Sequence, residues 1–310
     1  MTLLSKSPAL PDMKNSIQRV LLLVSFSCAA VAAETNSSTS APGNPVNEIP
    51  LQIERGMAGI EVMINGQGPF LFGIDSGAQG KARIDSALVE KLGLKSSGQA
   101  QGTDGSGRSP QKMEIVKLDS LVAGGIKFAD VEALSRNYKM GPRPLKFDGL
   151  LGLGLFSDYL VTIDFPAKLL RLEKGELSKA NGSEILDYKS EHGIPVVELS
   201  VGNNKIDANL DFGNTIGGFI LPASLVEKLQ FASEPVVVGK ARTVSSEVEI
   251  KEVKVKDTVR LGSLEFAEPT VTFPAISDVA NIGAKVVKDF VLTFDQQHQR
   301  VRIERPTIGR

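Results

Sequence analysis

The sequence predicts an all-β protein built from two similar lobes with short helices, and three observations support this fold class. Thirty Gly and sixteen Pro among the 310 residues indicate many turns and short strands rather than long helices. Hydrophobic residues make up 42% and charged residues 23%, which provides enough apolar material for a sizeable core. Blocks of sequence from the first half recur in the same order in the second half, which indicates an internal duplication. We therefore expect two all-β lobes that share one architecture.

The N-terminal segment is typical of an export signal. Lys14 and Arg19 precede an apolar stretch, residues 20–33, which ends in the small residues that a signal peptidase accepts. Residues 1–33 are therefore predicted to be a cleaved signal peptide, and an N-terminal membrane anchor is the alternative. Removal of this segment also removes Cys28, the only cysteine, which leaves neither a disulfide nor a thiol nucleophile.

A flexible lead-in is predicted next, over residues 34–48. It is rich in Ser, Thr, Asn, Pro and Gly and has no apolar periodicity. The formal net charge of the chain is −1, so there is no basic surface for nucleic acid. After removal of the signal peptide, no stable membrane span is predicted.

The first lobe is predicted over residues 49–178 and begins with a β-hairpin. Alternating residues at 59–64, a turn at 65–69 and an apolar run at 70–74 are the pattern of two antiparallel strands. Asp75 is the first residue after the second strand. The sequence thus places a carboxyl group at the end of an apolar strand.

A short helix and a further set of strands complete the first lobe. The helix is expected to have Asp85 as its N-cap and Gly93 at its end. A polar loop, residues 102–108, comes next. Strands are predicted at residues 113–118, 126–134, 161–164 and 169–173.

The second lobe is predicted over residues 190–306, after a polar linker at residues 175–193, and it repeats this order. Three blocks match: the strand before Asp75 and the strand before Asp211 (211 − 75 = 136), residues 88–92 and 225–229, and residues 158–164 and 289–295. Three matched blocks in one order are hard to obtain by chance.

Superposition of the two halves would bring Asp75 and Asp211 together. Two carboxylates in contact cannot both ionise cheaply, so such a pair shares one proton. The ionised member can act as a general base on water, and the protonated member can act as an acid. Chemistry of this kind requires no metal and no cofactor.

The motif Asp75-Ser76-Gly77-Ala78, preceded by an apolar strand and followed by the element at residues 148–153, resembles the aspartic protease families. It is most similar to bacterial retropepsin-like members, here with two lobes in one chain. The resemblance covers about residues 49–306. It implies an acid-protease-type β-barrel fold with a pseudo-twofold duplication, hydrolysis of a peptide or protein substrate by a catalytic Asp75/Asp211 pair, and a monomer. Together with the export signal and the lack of cysteine in the mature chain, the bacterial character of the family indicates a periplasmic or secreted enzyme.

The resemblance also implies supporting roles around the two aspartates. The Ser76 hydroxyl is expected to hydrogen-bond across to the other lobe, and Gly77 and Gly213 allow tight turns beside the carboxylates. Phe212 departs from the family pattern, because Ser or Thr is expected there. Asn214 is expected to replace part of the lost hydrogen bonding.

Flexible hairpins that close over the substrate are a further implication of the resemblance. The first-lobe candidate is the loop that contains Asp104, Gly105 and Ser106, and the second-lobe candidate lies near residues 239–243. An ordinary surface loop is the alternative interpretation of each.

Phe212 favours a second hypothesis, in which the protein is a catalytically weak or inactive pseudo-protease that binds peptides or a partner. In a third hypothesis the first lobe pairs with the first lobe of a second chain, as in dimeric retropepsins.

Other conspicuous residues are interpreted structurally. Asp164 and Asp295 suit turns, Asp148 is peripheral, His192 and His298 lie in polar loops and indicate neither a catalytic triad nor a zinc site, and residues 149–154 suit packing rather than nucleotide binding.

Overall fold

The computed structural model describes residues 47–103, 110–139, 146–242, 247–274 and 279–306. The predicted signal peptide and nearly all of the predicted lead-in lie outside these ranges. The described chain is mostly β-structure with few short helices, and its sheets are curled, which confirms the predicted all-β, two-lobed fold class.

The strands and helices are short, as the many turn residues predict. In the first half the strands are β1 (Asn47–Pro50), β2 (Gln52–Glu54), β3 (Met57–Ile64), β4 (Gln67–Ile74), β5 (Ala82–Asp85), β6 (Ser96–Thr103), β7 (Pro110–Ala123), β8 (Ile126–Arg136), β9 (Gly149–Leu151), β10 (Leu160–Asp164) and β11 (Leu169–Glu173). Helix α1 (Ser86–Lys91) lies between β5 and β6, and a 3-10 turn (Leu153–Phe156) follows β9.

The second half continues with β12 (Ile185–Asp187), β13 (Lys189–Glu191), β14 (Ile194–Val201), β15 (Asn204–Leu210), β16 (Phe219–Ile220), β17 (Val236–Arg242), β18 (Glu247–Lys254), β19 (Val259–Leu261), β20 (Leu264–Phe266), β21 (Thr270–Pro274), β22 (Ala280–Ile282), β23 (Val291–Asp295) and β24 (Arg300–Glu304). Its helices are α2 (Ala223–Val226) and α3 (Ala284–Val287). The strands β12 and β13 lie within the stretch that was predicted to be a linker.

The first half forms an eight-stranded sheet in the order β2-β3-β4-β9-β5-β8-β7-β6. An additional pairing between β3 and β7 joins two strands that are distant in this order, so the sheet curls into a barrel. The predicted helix cap is confirmed, since the Asp85 side chain accepts a hydrogen bond from the Ala87 backbone N–H (3.0 Å). Gly93 follows the helix with a φ of +63°, a conformation that glycine adopts readily.

The second half forms a sheet in the order β17-β18-β21-β16-β22-β15-β14-β19-β20, and β13 pairs with β14. Its central pairings correspond to those of the first sheet. The pair β15–β22 is parallel like β4–β9, and β16–β22 is antiparallel like β5–β9. Corresponding strand ends therefore have corresponding neighbours in the two lobes.

A third sheet, in the order β1-β11-β10-β23-β24-β12, contains strands from both halves. Its central pair, β10 and β23, is antiparallel, with Thr162 opposite Thr293. The two hydroxyl groups are buried and lie 2.9 Å apart in a hydrogen bond. The shared sheet joins the lobes directly through backbone hydrogen bonds.

One hydrophobic core extends through both halves of the chain and includes Phe72, Phe156, Phe212 and Phe294, all of them fully or almost fully buried. A smaller cluster of Met57, Phe147 and Leu150 is separate from this core. In the ranges given above, the structure contains no helix long and apolar enough to cross a membrane.

Candidate active site

Asp75 is the first residue beyond β4, where the chain leaves the first sheet. Ile74 pairs with Leu151 of the parallel strand β9, and the Asp75 backbone N–H donates to the Leu151 carbonyl (2.9 Å). Ile74 is completely buried, whereas Asp75 is partly exposed. The end of a buried strand thus delivers this carboxyl group to a position that solvent can reach.

Asp211 occupies the corresponding position in the second lobe. It follows the buried Leu210 at the end of β15, and its backbone N–H donates to the Ile282 carbonyl of the parallel strand β22 (3.0 Å). Asp211 is also partly exposed. Both aspartates therefore sit at the same point of the same local architecture.

The two carboxyl groups are in hydrogen-bond contact, and each lies against the glycine of the opposite turn. A Cβ atom on Gly77 would be 2.5 Å from the carboxyl carbon of Asp211, and a Cβ atom on Gly213 would overlap the Asp75 carboxyl. The Gly77 backbone N–H donates to Asp75 Oδ1 (2.8 Å). The absence of a side chain at the two glycines is what allows the aspartates to approach each other.

Ser76 connects the two turns. Its side chain is completely buried. Its hydroxyl donates to the Leu210 carbonyl (2.8 Å) and accepts from the Phe212 backbone N–H (3.0 Å). These two backbone groups lie immediately before and after Asp211, so one first-lobe hydroxyl fixes the second-lobe turn.

Phe212 contributes to the core rather than to the exposed side of the site. Its ring is 1% exposed. It packs edge-on against Phe165 (5.7 Å between ring centroids) and at a tilt against Phe294 (6.1 Å). The departure from the family pattern therefore replaces a cross-lobe hydroxyl by apolar packing, while the backbone N–H of Phe212 keeps its bond to Ser76.

Asn281 is a site residue that the sequence analysis missed. Its side-chain amide donates to Asp211 Oδ2 (2.9 Å), and its carbonyl oxygen accepts from the Asn214 side chain (3.4 Å). The Asn214 backbone N–H donates to Asp211 Oδ1 (3.2 Å). Both oxygens of the Asp211 carboxyl thus accept hydrogen bonds from neutral amide groups of the second lobe.

The sequence contains a pattern that could have identified Asn281. The element Leu150-Leu151-Gly152 returns as Asn281-Ile282-Gly283 with an offset of 131 (281 − 150), the same offset that relates Asp158 to Asp289 (289 − 158). Asn281 thus takes the place of Leu150. Each of these residues lies in a strand, β22 or β9, that runs parallel to the strand ending at an aspartate, β15 or β4.

The electrostatic environment makes Asp75 a weak acid. Burial within the surrounding protein and the neighbouring Asp211 charge raise the pKa of Asp75 to about 7, while the Arg83 guanidinium and the Gly77 N–H oppose this rise. Near neutral pH and below, the pair therefore carries a proton that separate aspartates would have lost.

The predicted flap residues are only partly covered by the structure. Asp104, Gly105 and Ser106 lie outside the described residues, between the paired strands β6 and β7. Of the second-lobe candidate, residues 239–242 belong to β17, which forms a hairpin with β18. Residue 243 lies outside the described ranges.

The other conspicuous polar residues have structural partners. Asp164 accepts from the Ala167 N–H (2.9 Å) and Asp295 from the His298 N–H (3.1 Å), which confirms their predicted role in turns. Asp148 accepts hydrogen bonds from the backbone N–H of Leu71 and from Lys139 (3.3 Å each). The glycines of residues 149–154 are closely packed, since a Cβ atom on Gly152 would lie 2.4 Å from the Gly80 carbonyl oxygen.

Residues 60–155 match the aspartyl protease family, a segment that contains the turn at Asp75 and the element Leu150-Leu151-Gly152 but ends before Asp211. The resemblance inferred from the motifs is thereby confirmed. A search of curated proteins found no match to this chain.

Proposed function

Because residues 60–155 match the aspartyl protease family, we propose that the whole chain is an exported aspartic endopeptidase with Asp75 and Asp211 as its catalytic pair. The observation that carries this proposal is the direct contact of the two carboxyl groups at the ends of corresponding strands, with the pKa of Asp75 raised to about 7 by burial and by the Asp211 charge. Export would place the enzyme in the periplasm or outside the cell.

The contacts of the two aspartates suggest different roles for them. Asp75, with its raised pKa, holds the shared proton and donates it to the oxygen of the scissile carbonyl. Asp211, whose oxygens accept from Asn281 and Asn214, takes a proton from the attacking water as its oxygen bonds to the carbonyl carbon. Asp211 then passes its proton to the amide nitrogen as the C–N bond breaks, while Asp75 takes back a hydroxyl proton of the intermediate as the C=O bond re-forms, which yields an amine and a carboxylic acid and restores the starting protonation of the pair.

The packing of Phe212 supports an active enzyme over an inactive binding module. Its ring is buried away from solvent, and the contacts of Asp211 with Asn281 and Asn214 do not involve its side chain. The pairing of Asp75 with an aspartate of the same chain likewise supports a monomer over a shared site between two chains.

The proposal is tested by incubating the full chain with a broad peptide library between pH 4 and pH 8 and identifying the products by mass spectrometry. We expect internal cleavage that a pepstatin-like inhibitor blocks, without transfer of an acyl group to added hydroxylamine. Saturable peptide binding without cleavage at any pH would support the pseudo-protease instead.

The activity should decline as the pH rises through about 7. Asp75 must be protonated to donate to the substrate carbonyl, and its pKa of about 7 sets the pH above which this form is lost. A plot of kcat/KM against pH with a chosen peptide should therefore fall about tenfold per pH unit above pH 8. A profile that stays flat to pH 9 would contradict the role assigned to Asp75.

Replacement of Gly77 by Ala should lower kcat/KM by about 100-fold, because the new methyl group would collide with the Asp211 carboxyl and displace it. Gly98→Ala provides the matched control, since the nearest atom to its added Cβ would be Ile115 Cδ1 at 3.8 Å. Wild-type activity of the Gly77 variant would show that the two turns are farther apart during catalysis than the structure indicates.

A further inference from the structure

Arg83 lies on the first-lobe side of the catalytic pair. It belongs to β5 and pairs with Leu150 of β9, and Leu150 in turn pairs with Gly73, two residues before Asp75. Directly paired residues of antiparallel strands project from the same face. The Arg83 side chain therefore shares a face with Leu150, and its guanidinium acts electrostatically on Asp75.

Tyr138 packs against the same small cluster. It contacts the group formed by Met57, Phe147 and Leu150, which is separate from the main core. The Arg83 guanidinium and the Asp75 charge both act on the Tyr138 hydroxyl, which places these three side chains close together. Burial raises the pKa of the Tyr138 hydroxyl, so it remains a protonated donor over the physiological range.

Each side chain contains a buried donor that is not used within the part of the chain that the structure describes. Arg83 Nε has no hydrogen-bond partner there. The Tyr138 hydroxyl interacts with the Arg83 guanidinium, which can only donate, so the hydroxyl hydrogen has no acceptor in that part of the chain. Buried donors of this kind are uncommon and costly when they remain unpaired. The two residues as a whole are partly exposed, so part of each side chain reaches solvent.

Two nearby carboxylates of the protein already have other partners. Asp85, on the same strand as Arg83, accepts from the backbone N–H groups of Ala87 and Tyr138 with its two oxygens. Asp148 accepts from Leu71 and Lys139, again with one oxygen each. Among the described residues, neither carboxylate bonds to the Arg83 or Tyr138 side chain, so a ligand could supply the acceptor for both donors.

In the second lobe, an apolar residue occupies the position that corresponds to Arg83. The pair Arg83–Leu150 of the first lobe corresponds to the pair Ile220–Asn281 of the second. Ile220 is 6% exposed and apolar. Any recognition of charge by Arg83 is therefore confined to one side of the catalytic pair, and hence to one side of the scissile bond.

We propose that Arg83 and Tyr138 form a carboxylate-binding subsite beside the catalytic pair, which rests on the proposed peptidase function. A guanidinium and a neutral hydroxyl both have hydrogens to donate, and a carboxylate is the ligand that satisfies both. The preferred substrates are thus peptides with an Asp or Glu side chain, or a terminal carboxylate, close to the scissile bond on one side.

The test uses the full chain at pH 6 and peptides in which one Glu is moved through the two positions on each side of the scissile bond. Each Glu peptide has a matched Gln peptide. We expect kcat/KM to favour Glu over Gln by about 10- to 100-fold at one position. The preference should disappear in Arg83→Ile, which copies the second lobe, and weaken severalfold in Tyr138→Phe. Truncated peptides that end near the scissile bond, with a free or an amidated C-terminus, distinguish a terminal carboxylate from a side chain.

Failure of this inference can be separated from failure of the peptidase function. Equal cleavage of all Glu and Gln peptides by the wild type, or an unchanged preference in Arg83→Ile, would overturn the subsite while leaving the peptidase intact. If no peptide is cleaved, the subsite is still tested by fluorescence anisotropy, which compares the binding of fluorescently labelled versions of the matched Glu and Gln peptides. Tyr138→Phe is the conservative variant that provides a readout if Arg83→Ile fails to fold.

Discussion

Replacement of Asp75 by Asn should abolish peptide cleavage and also stabilise the fold at alkaline pH. The lost general acid should lower kcat by about 10³-fold or more. The stability effect follows from the pKa of Asp75, which burial and the Asp211 charge raise from 3.8 to about 7. The folded protein binds this proton more tightly than the unfolded chain, so stability is lost as the pH rises from about 4 through 7.

The gain in stability should therefore depend on pH. At pH 8 the wild type keeps an ionised carboxyl group beside Asp211, whereas the side-chain amide of the Asp75→Asn variant carries no charge. One pKa unit corresponds to about 1.4 kcal/mol. At pH 8 we therefore expect the free energy of unfolding of the variant to exceed that of the wild type by on the order of 2 to 4 kcal/mol. At pH 3, where the carboxyl is protonated in both states, the difference should vanish. Chemical denaturation of the wild type and the variant at pH 8 and at pH 3 measures the difference in their free energies of unfolding at each pH.

Asp211→Asn should be as inactive as Asp75→Asn, because each carboxyl group has a separate role. Asp207→Asn is the matched control on the same strand, since Asp207 is exposed and its partner is Lys189 on the surface. Retained cleavage by the Asp211 variant would exclude the two-lobe mechanism, and inactivity of the Asp207 variant would show that the loss is not specific to the pair.

Replacement of Ser76 by Ala should destabilise the protein by about 2 to 6 kcal/mol and lower activity by about 100-fold. The hydroxyl satisfies the Leu210 carbonyl and the Phe212 N–H. Each buried group left without a partner costs about 1–3 kcal/mol. Both groups flank Asp211, so their displacement also moves the catalytic carboxyl.

The Ser76 prediction is checked by urea denaturation and by kcat/KM with one peptide. Ser76→Thr keeps the hydroxyl and should restore most of both values. Ser97→Ala removes the hydroxyl of an exposed serine and should change neither value appreciably. If Ser76→Ala is as stable and as active as the wild type, the hydroxyl does not hold the two turns together.

The elements that depend on local sequence were predictable. The alternation in residues 59–64 and the following turn predicted the hairpin that ends at Asp75, because strand period and turn chemistry act over neighbouring residues. The helix after Asp85 followed from its cap and its terminal glycine in the same way. The proximity of the two aspartates followed from the repeated blocks rather than from either block alone.

The contacts that depend on distant strand pairing were not predicted. Asn281 reaches Asp211 only because β15 and β22 are parallel neighbours, although the two residues are 70 positions apart. Phe212 was interpreted only as a lost hydroxyl, because the sequence does not indicate that Phe165 and Phe294 would enclose its ring. The donors of Arg83 and Tyr138 were overlooked for the same reason, since only the fold places them beside Asp75.

The sheet shared by the two halves has a consequence for any attempt to divide the chain. In its central pair, the residues of β10 and β23 face each other symmetrically about Thr162 and Thr293. A first half produced alone would expose the backbone donors and acceptors of β10 as a free edge. That edge has the register needed to pair with a second copy of itself, Thr162 against Thr162. An isolated half is therefore expected to associate with itself in solution rather than to remain a single folded lobe.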